Sequence, residues 1–194
     1  MNLKNRLESE NIKLPEPFYT QITAFSEHLM RWNKIHNLTG AKNIADIEEN
    51  IFDALYPLTF LPSVKKAMDI GTGAGFPGLI LAMALPQTNF TLVEPLQKRA
   101  SFLQYIASNL KLSNVKIELN RVENISNPIQ MDMITSRAVT DTNLLLRLSE
   151  KFIKKGTILL FYKGTNVKEE IDNNLDYKIV ERANRRYLLI KSDR

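Results

Sequence analysis

The 194-residue sequence contains no cysteine, which removes disulfides, thiolate metal sites and cysteine nucleophiles together. It has two histidines, His28 and His36, too few for a metal cluster, so no metal is expected. Long apolar runs are missing as well. The longest, Leu79 to Leu85, is far short of a bilayer span, and the opening stretch MNLKNRLESENIKLPEP has no apolar signal core. A cytoplasmic protein without membrane contact is the expectation. Charge is not strongly one-signed: a net +5 with 24% charged residues permits a polyanionic partner without requiring one. Glycine is sparse too, yet four of the seven fall between Gly71 and Gly78.

The apolar content of 44% fits one medium domain with a short appendage. Phe18, Ile22, Phe25, Leu29, Trp32 and Ile35 recur at helical intervals, and Ile44, Ile47, Ile51, Ala54, Leu55 and Leu58 repeat the pattern. Residues 1–62 therefore read as a helical cap and residues 63–194 as the core. In the core, short strand-like runs at Ala67–Ile70, Phe90–Val93, Val115–Leu119, Met131–Thr135 and Ile158–Tyr162 alternate with helical segments at Gly78–Leu85, Gln97–Leu110 and Thr142–Ile153. That alternation implies an α/β fold with a doubly wound, mostly parallel sheet. Tyr177–Arg182 and Arg186–Ile190 leave no room for a crossover helix, so they are expected to close the chain as an antiparallel hairpin.

The glycines sit in MDIGTGAGFPG, at the first strand-to-helix turn, where open parallel sheets hold their ligands. Gly71, Gly73 and Gly75 give GxGxG, while Gly73, Gly75 and Gly78 give the GxGxxG spacing of dinucleotide sites. Asp69 separates the two ligand classes. An ionised carboxylate beside the turn opposes a pyrophosphate and attracts a sulfonium. At about 4 Å and an effective dielectric near 20 the interaction is roughly 4 kcal/mol before desolvation. It favours S-adenosylmethionine. Glu94, closing the second strand, suits the ribose hydroxyls of either ligand. Val122 and Glu123, after the third strand, suit an adenine edge or, equally, a helix cap.

GTGAGFPG after MDI, then VEPLQKR, NRVENI, DMITSRAV and FYKG in that order, together with WNKIHNLT upstream, resemble the bacterial RsmG (GidB) family. The resemblance implies a class I, Rossmann-like methyltransferase fold and S-adenosylmethionine as cofactor. It further implies methylation of guanine N7 in the decoding-centre loop of 16S ribosomal RNA. Gly71, Phe76, Val122, Glu123 and Arg137 fall on the family's cofactor-contacting positions. Where the family has His-x-x-Asp-Ser, this chain has Asn50 to Ala54, which keeps Asp53 and lacks the histidine and serine.

The residue inventory is compatible with that reaction. Without cysteine the covalent route to pyrimidine C5 is closed, and the fourth strand is followed by no Asn/Asp-Pro-Pro-aromatic motif of the kind used on exocyclic amines. Guanine N7 carries a free lone pair, so alignment matters more than a general base. Arg137 is the candidate for positioning cofactor or base.

Arg121, Lys163, Arg182, Arg185 and Arg186 follow strands, and Lys98 and Arg99 open a helix, so all seven are expected to form a phosphate-binding rim around the cofactor. Trp32 is expected to pack the cap onto the sheet, with base stacking as the alternative, and His28 and His36 to be surface residues. The partner implied is 16S ribosomal RNA or the small subunit, bound by a monomer. An NAD(P)-linked oxidoreductase and a non-catalytic RNA-binding module are the competing functions.

Overall fold

The computed structural model describes residues 2–137, 141–171 and 176–193. Ala138 and Val139 of the SRAV motif lie outside the described residues. Three helices come first, α1 (Leu3–Ser9), α2 (Pro17–His36) and α3 (Ile44–Leu55), followed by a 3-10 turn at Tyr56–Thr59. Strands and helices then alternate except between β3 and β4, which a 3-10 turn at Val122–Asn124 separates: β1 (Lys66–Ile70), α4 (Gly78–Ala84), β2 (Asn89–Val93), α5 (Gln97–Asn109), β3 (Val115–Glu118), β4 (Met133–Arg137), α6 (Thr142–Ser149) and β5 (Ile158–Lys163). The hairpin β6 (Tyr177–Arg182) and β7 (Arg185–Lys191) completes the sheet.

Local chemistry explains most helix boundaries. Pro17 opens α2 at a position whose N–H needs no partner, and Asn37 ends it in the left-handed region at φ 50°. Asn43 and Asp141 accept the N–H groups of Asp46 and Leu144 at 3.0 Å and so cap α3 and α6. α4 has no cap of this kind from its own flank. Its first N–H, on Gly78, is taken by Asp69 of β1.

The strand order is β3-β2-β1-β4-β5-β7-β6. β1 to β5 run parallel, β7 is antiparallel to β5, and β6 is antiparallel to β7. The chain winds outward from β1 to β3 and then returns to the other side of β1, so the carboxyl ends of β1 and β4 flank the switch point. Alternate residues serve opposite faces. Ala67, Phe90, Leu92 and Met133 pack with α1 to α5, for example on Phe25, Ile51, Leu79 and Phe102. Met68, Ile134, Leu159, Phe161 and Leu188 build a second core with Leu145 of α6 and Phe152. Tyr162, Leu160 and Tyr187 meet Tyr56 and Phe60 beneath the cap. Trp32 packs against Phe102 and Tyr105 of α5 with ring centroids 5.5 Å away, so it joins the cap to α5 and not, as expected, to the sheet.

Most boundaries differ from the sequence reading by a residue or more, and three of the differences have a local cause. β4 starts at Met133, two residues late, because Met131 N–H pairs with Phe152 O, outside the ladder; the shift carries Arg137 into the strand's last position. α6 stops at Ser149, whose hydroxyl bonds back to Leu145 O at 2.7 Å, and a 3-10 turn over Glu150–Phe152 replaces the last turn. β7 begins at Arg185, opposite Arg182, with Ala183 at φ 47° in a two-residue turn.

Candidate cofactor site

β1 ends at Ile70 and the chain turns at once. Gly71 N–H and Thr72 N–H donate to Val93 O at 2.9 and 3.2 Å, pinning the turn to the end of β2. Gly75 and Phe76 N–H both donate to Thr72 O, which folds the loop tightly before α4. Gly73 adopts φ +59°, and a Cβ there would meet no atom within 4 Å, so the backbone is bare toward open space. Gly78 is bare for a different reason. A Cβ on it would come within 2.5 Å of Asp69 Cβ and 2.6 Å of Leu92 Cδ2, so only glycine lets α4 approach the sheet.

That open space is a cavity of about 580 Å³ at the carboxyl ends of the strands. Gly71, Thr72, Gly73, Phe76, Glu94 and Arg137 line it. The volume lies in the range of cofactor pockets, roughly 300 to 1,000 Å³. A larger cavity, about 730 Å³, opens at the opposite end of the sheet beside Lys65 and Ile158, away from the switch point.

Glu94 is almost fully buried. Its two oxygens accept Gly73 N–H and Leu96 N–H, each at 2.9 Å, so one carboxylate ties the turns after β1 and β2 into a single rim. Phe76 is buried edge-on against Phe25, 5.6 Å between centroids. Arg137 lies over its ring at 4.9 Å and donates to Asn50 Oδ1 at 2.9 Å. Burial pulls the Arg137 guanidinium below its ordinary range, and Asp53, with Oδ2 3.6 Å away, opposes that. Arg137 also borders a neighbouring hollow of about 370 Å³ with Asn50, Asp46 and Arg185, so it forms the partition between two spaces.

Asp69 is placed differently from the sequence reading. It is fully buried beneath the glycine turn and does not line the cavity. Its Oδ2 accepts Gly78 N–H at 2.9 Å and its Oδ1 accepts the Thr135 hydroxyl at 2.7 Å. Burial pushes its carboxyl up from 3.8 to about 6, while these bonds pull the other way. The residue shapes the turn from below, on the same strand face as Ala67. The Thr72 hydroxyl, buried in the same turn, also pulls the Asp69 carboxyl down.

The remaining expected site residues divide. Gly75, at φ +103°, faces Leu79 inside the loop, not the cavity. Val122 is buried in the second core, and Glu123 pairs with Arg121 at 3.8 Å; neither is among the cavity's lining residues. Arg99 lines the cavity and Lys98 is exposed beside it. Arg121 is exposed beside Glu123, and the remaining four are held in ion pairs within the chain, a correction to the expected free rim. Lys163 is buried on Glu170 at 2.7 Å, Arg182 reaches Glu49 at 3.2 Å, Arg185 reaches Asp53 at 2.9 Å, and Arg186 reaches Glu181 at 3.2 Å. Glu49 and Asp53 belong to α3, whose docking beside the hairpin sequence spacing does not reveal.

Sequence reading missed Leu38, Thr39 and Gly40, which close the cavity from the cap side. Asn33 holds that segment by accepting Thr39 N–H at 2.8 Å and donating to Ala41 O at 3.2 Å. The signal was present in WNKIHNLTG: a polar residue in the last turn of a helix, just before Asn, Thr and Gly. Among the described residues no cluster of His, Asp or Glu is placed to hold a metal, and no helix is long and apolar enough to cross a membrane.

Residues 19–191 match the family model for rRNA small subunit methyltransferase G, GidB. Two relatives named Ribosomal RNA small subunit methyltransferase G, from Aliarcobacter butzleri and Wolinella succinogenes, are each 47% identical to this chain. The first covers 97% of this chain and 98% of its own length, the second 96% of both. Among solved structures, an O-methyltransferase from Bacillus cereus in complex with SAH superposes with a TM-score of 0.64 at 13% identity, over 87% of this chain and 91% of that one. A methyltransferase from Geobacter sulfurreducens gives 0.62 at 14% identity, over 92% and 90%. At those identities the structures establish the fold alone, an α/β fold shared with those methyltransferases. Sequence, sheet order and glycine turn agree, and the chain belongs to the rRNA small subunit methyltransferase G (GidB) family.

Proposed function

We propose that this enzyme transfers a methyl group from S-adenosylmethionine to N7 of a guanine in 16S ribosomal RNA, acting as a cytoplasmic monomer on the RNA or the small subunit. The observation that carries the cofactor assignment is the bare Gly73 backbone facing a cavity rimmed by buried Glu94. S-adenosylmethionine supplies, when bound, an electrophilic methyl on a sulfonium.

Gly71, Gly73, Phe76, Glu94 and Arg137 are the residues assigned to hold it. Glu94 presents acceptor lone pairs to ribose hydroxyls, and Phe76 supplies an apolar wall. Arg137, fixed by Asn50 and Asp53, positions the cofactor or the base from the partition between the two hollows. Guanine N7 attacks with its own lone pair, so the chain needs to orient and exclude water, not to remove a proton. The division into a helical cap, residues 1–62, and a core, residues 63–194, belongs to the same reading: the cap closes the cavity through Thr39 and Gly40.

Calorimetric titration tests the site. S-adenosylmethionine is expected to saturate at one site per chain, and NADH to give no heat. Gly73→Val, which fills the bare position, and Glu94→Gln, which faces an amide N–H toward a backbone N–H, each weaken binding tenfold or more. Saturable NADH binding without S-adenosylmethionine binding overturns the assignment.

A further inference from the structure

The cations expected around the cofactor are largely consumed by α3 and by neighbouring carboxylates, yet the chain carries a net +5. Part of that excess gathers at the other end of the molecule. The groove of about 730 Å³ at the amino ends of the parallel strands is bordered by Lys65, Lys154, Lys155, Lys178 and Lys191. They come from separate segments: the turn before β1, the turn before β5, and strands β6 and β7. Only the fold brings them together.

Two aspartates, Asp132 and the exposed Asp176, share the groove with the five lysines. Asp132 is already occupied by the Lys154 ammonium and by the N–H groups of Lys65 and Lys66 at 2.9 and 2.8 Å. Lys65, Lys155, Lys178 and Lys191 are exposed, and no ion pair to a carboxylate forms at any of them among the described residues. Like charges around a concavity focus a positive potential into it, and a mobile ammonium is well suited to phosphate oxygens.

We propose that this groove is a second RNA-backbone binding surface, engaged by a stretch of RNA other than the loop whose base is methylated. The inference rests on the RNA methyltransferase reading. At about 3.3 Å per residue, a five-residue strand with its flanking turns separates the two ends of the sheet by roughly 15 to 20 Å. A short hairpin seated at the cofactor cavity with its stem directed away from the sheet does not reach the groove; a folded RNA with a neighbouring helix does. The substrate class is therefore extended, folded RNA, with the groove adding affinity as a linked second contact.

The test uses the full-length triple variant Lys155→Gln/Lys178→Gln/Lys191→Gln, with cofactor titration confirming its fold and the Lys→Arg triple as a charge-preserving control. Methyl transfer and filter binding are measured on two RNAs, full-length protein-free small-subunit RNA and a short hairpin carrying only the target loop. On the long RNA the Gln variant is expected to raise KM about tenfold with kcat unchanged. The salt slope of binding falls by about 2 to 3, roughly 0.7 to 0.9 for each lost phosphate contact. On the hairpin it matches the wild type, and the Arg variant matches throughout. An unchanged KM and slope on the long RNA overturn the proposal, as does an equal loss on the hairpin. If wild-type protein methylates neither RNA, the functional reading fails, while filter binding still decides the groove.

Discussion

Asp69 and Gly78 meet at 2.9 Å, carboxylate oxygen to backbone N–H, with the strand so close to the helix that a single added Cβ would overlap the aspartate side chain. This contact sets the height of α4 above β1, and through it the shape of the glycine turn. Gly78→Ala is therefore expected to destabilise the fold by about 1 to 3 kcal/mol, the usual cost of overpacking a tight core, with the loss read from the midpoint of urea unfolding. A midpoint unchanged from wild type shows that α4 moves freely and that the contact sets nothing.

The same carboxylate makes stability depend on pH. Its folded value is raised to about 6 by burial against 3.8 for the ordinary group, so between about pH 4 and 6 the folded chain holds a proton that the unfolded chain has lost. The sign follows: this contribution is fully present below pH 4 and is lost as pH rises through 6. Asp69→Asn removes it while keeping an oxygen acceptor for Gly78. The stability difference between wild type and variant is expected to shift by about 3 kcal/mol in favour of the variant from pH 4 to pH 7. Parallel stability curves across that range contradict it.

Asp53 joins the cap to the sheet. Buried in α3, it accepts the Tyr187 hydroxyl and Arg185 Nε, each at 2.9 Å, and faces Arg137. Removing it by Asp53→Ala strands two guanidinium groups and is expected to cost about 3 kcal/mol. The more exposed Glu49 pairs with Arg6 at 2.6 Å and Arg182 at 3.2 Å, and Glu49→Gln, which breaks both, costs under about 1 kcal/mol per pair. Equal losses in the two variants would refute the distinction between a buried junction and a surface pair.

The mostly parallel sheet with its closing hairpin, the helix positions and the glycine turn were legible in the sequence because each is written in local pattern: strand and helix periodicity, and glycines where a turn must be bare. Gly73 and Glu94 follow directly from that turn. Asp69 did not, because proximity in sequence to a ligand loop does not tell whether a side chain points up to the ligand or down into the sheet; only its strand face, shared with Ala67, decides. The basic rim failed for a related reason. Arg182 and Arg185 lie more than a hundred residues from Glu49 and Asp53, and no spacing reveals an ion pair formed by packing a cap against a hairpin. The groove lysines are invisible in the sequence for the same cause, since four chain segments contribute them.

The most direct measurement is mass mapping of small-subunit ribosomal RNA after incubation with purified protein and isotope-labelled S-adenosylmethionine. One labelled methyl on N7 of a single guanine, absent with the Gly73→Val variant, is the expected result. Label on another atom or base, or none on RNA that the protein demonstrably binds, would contradict the assignment of this glycine-turn cavity to guanine N7 methylation.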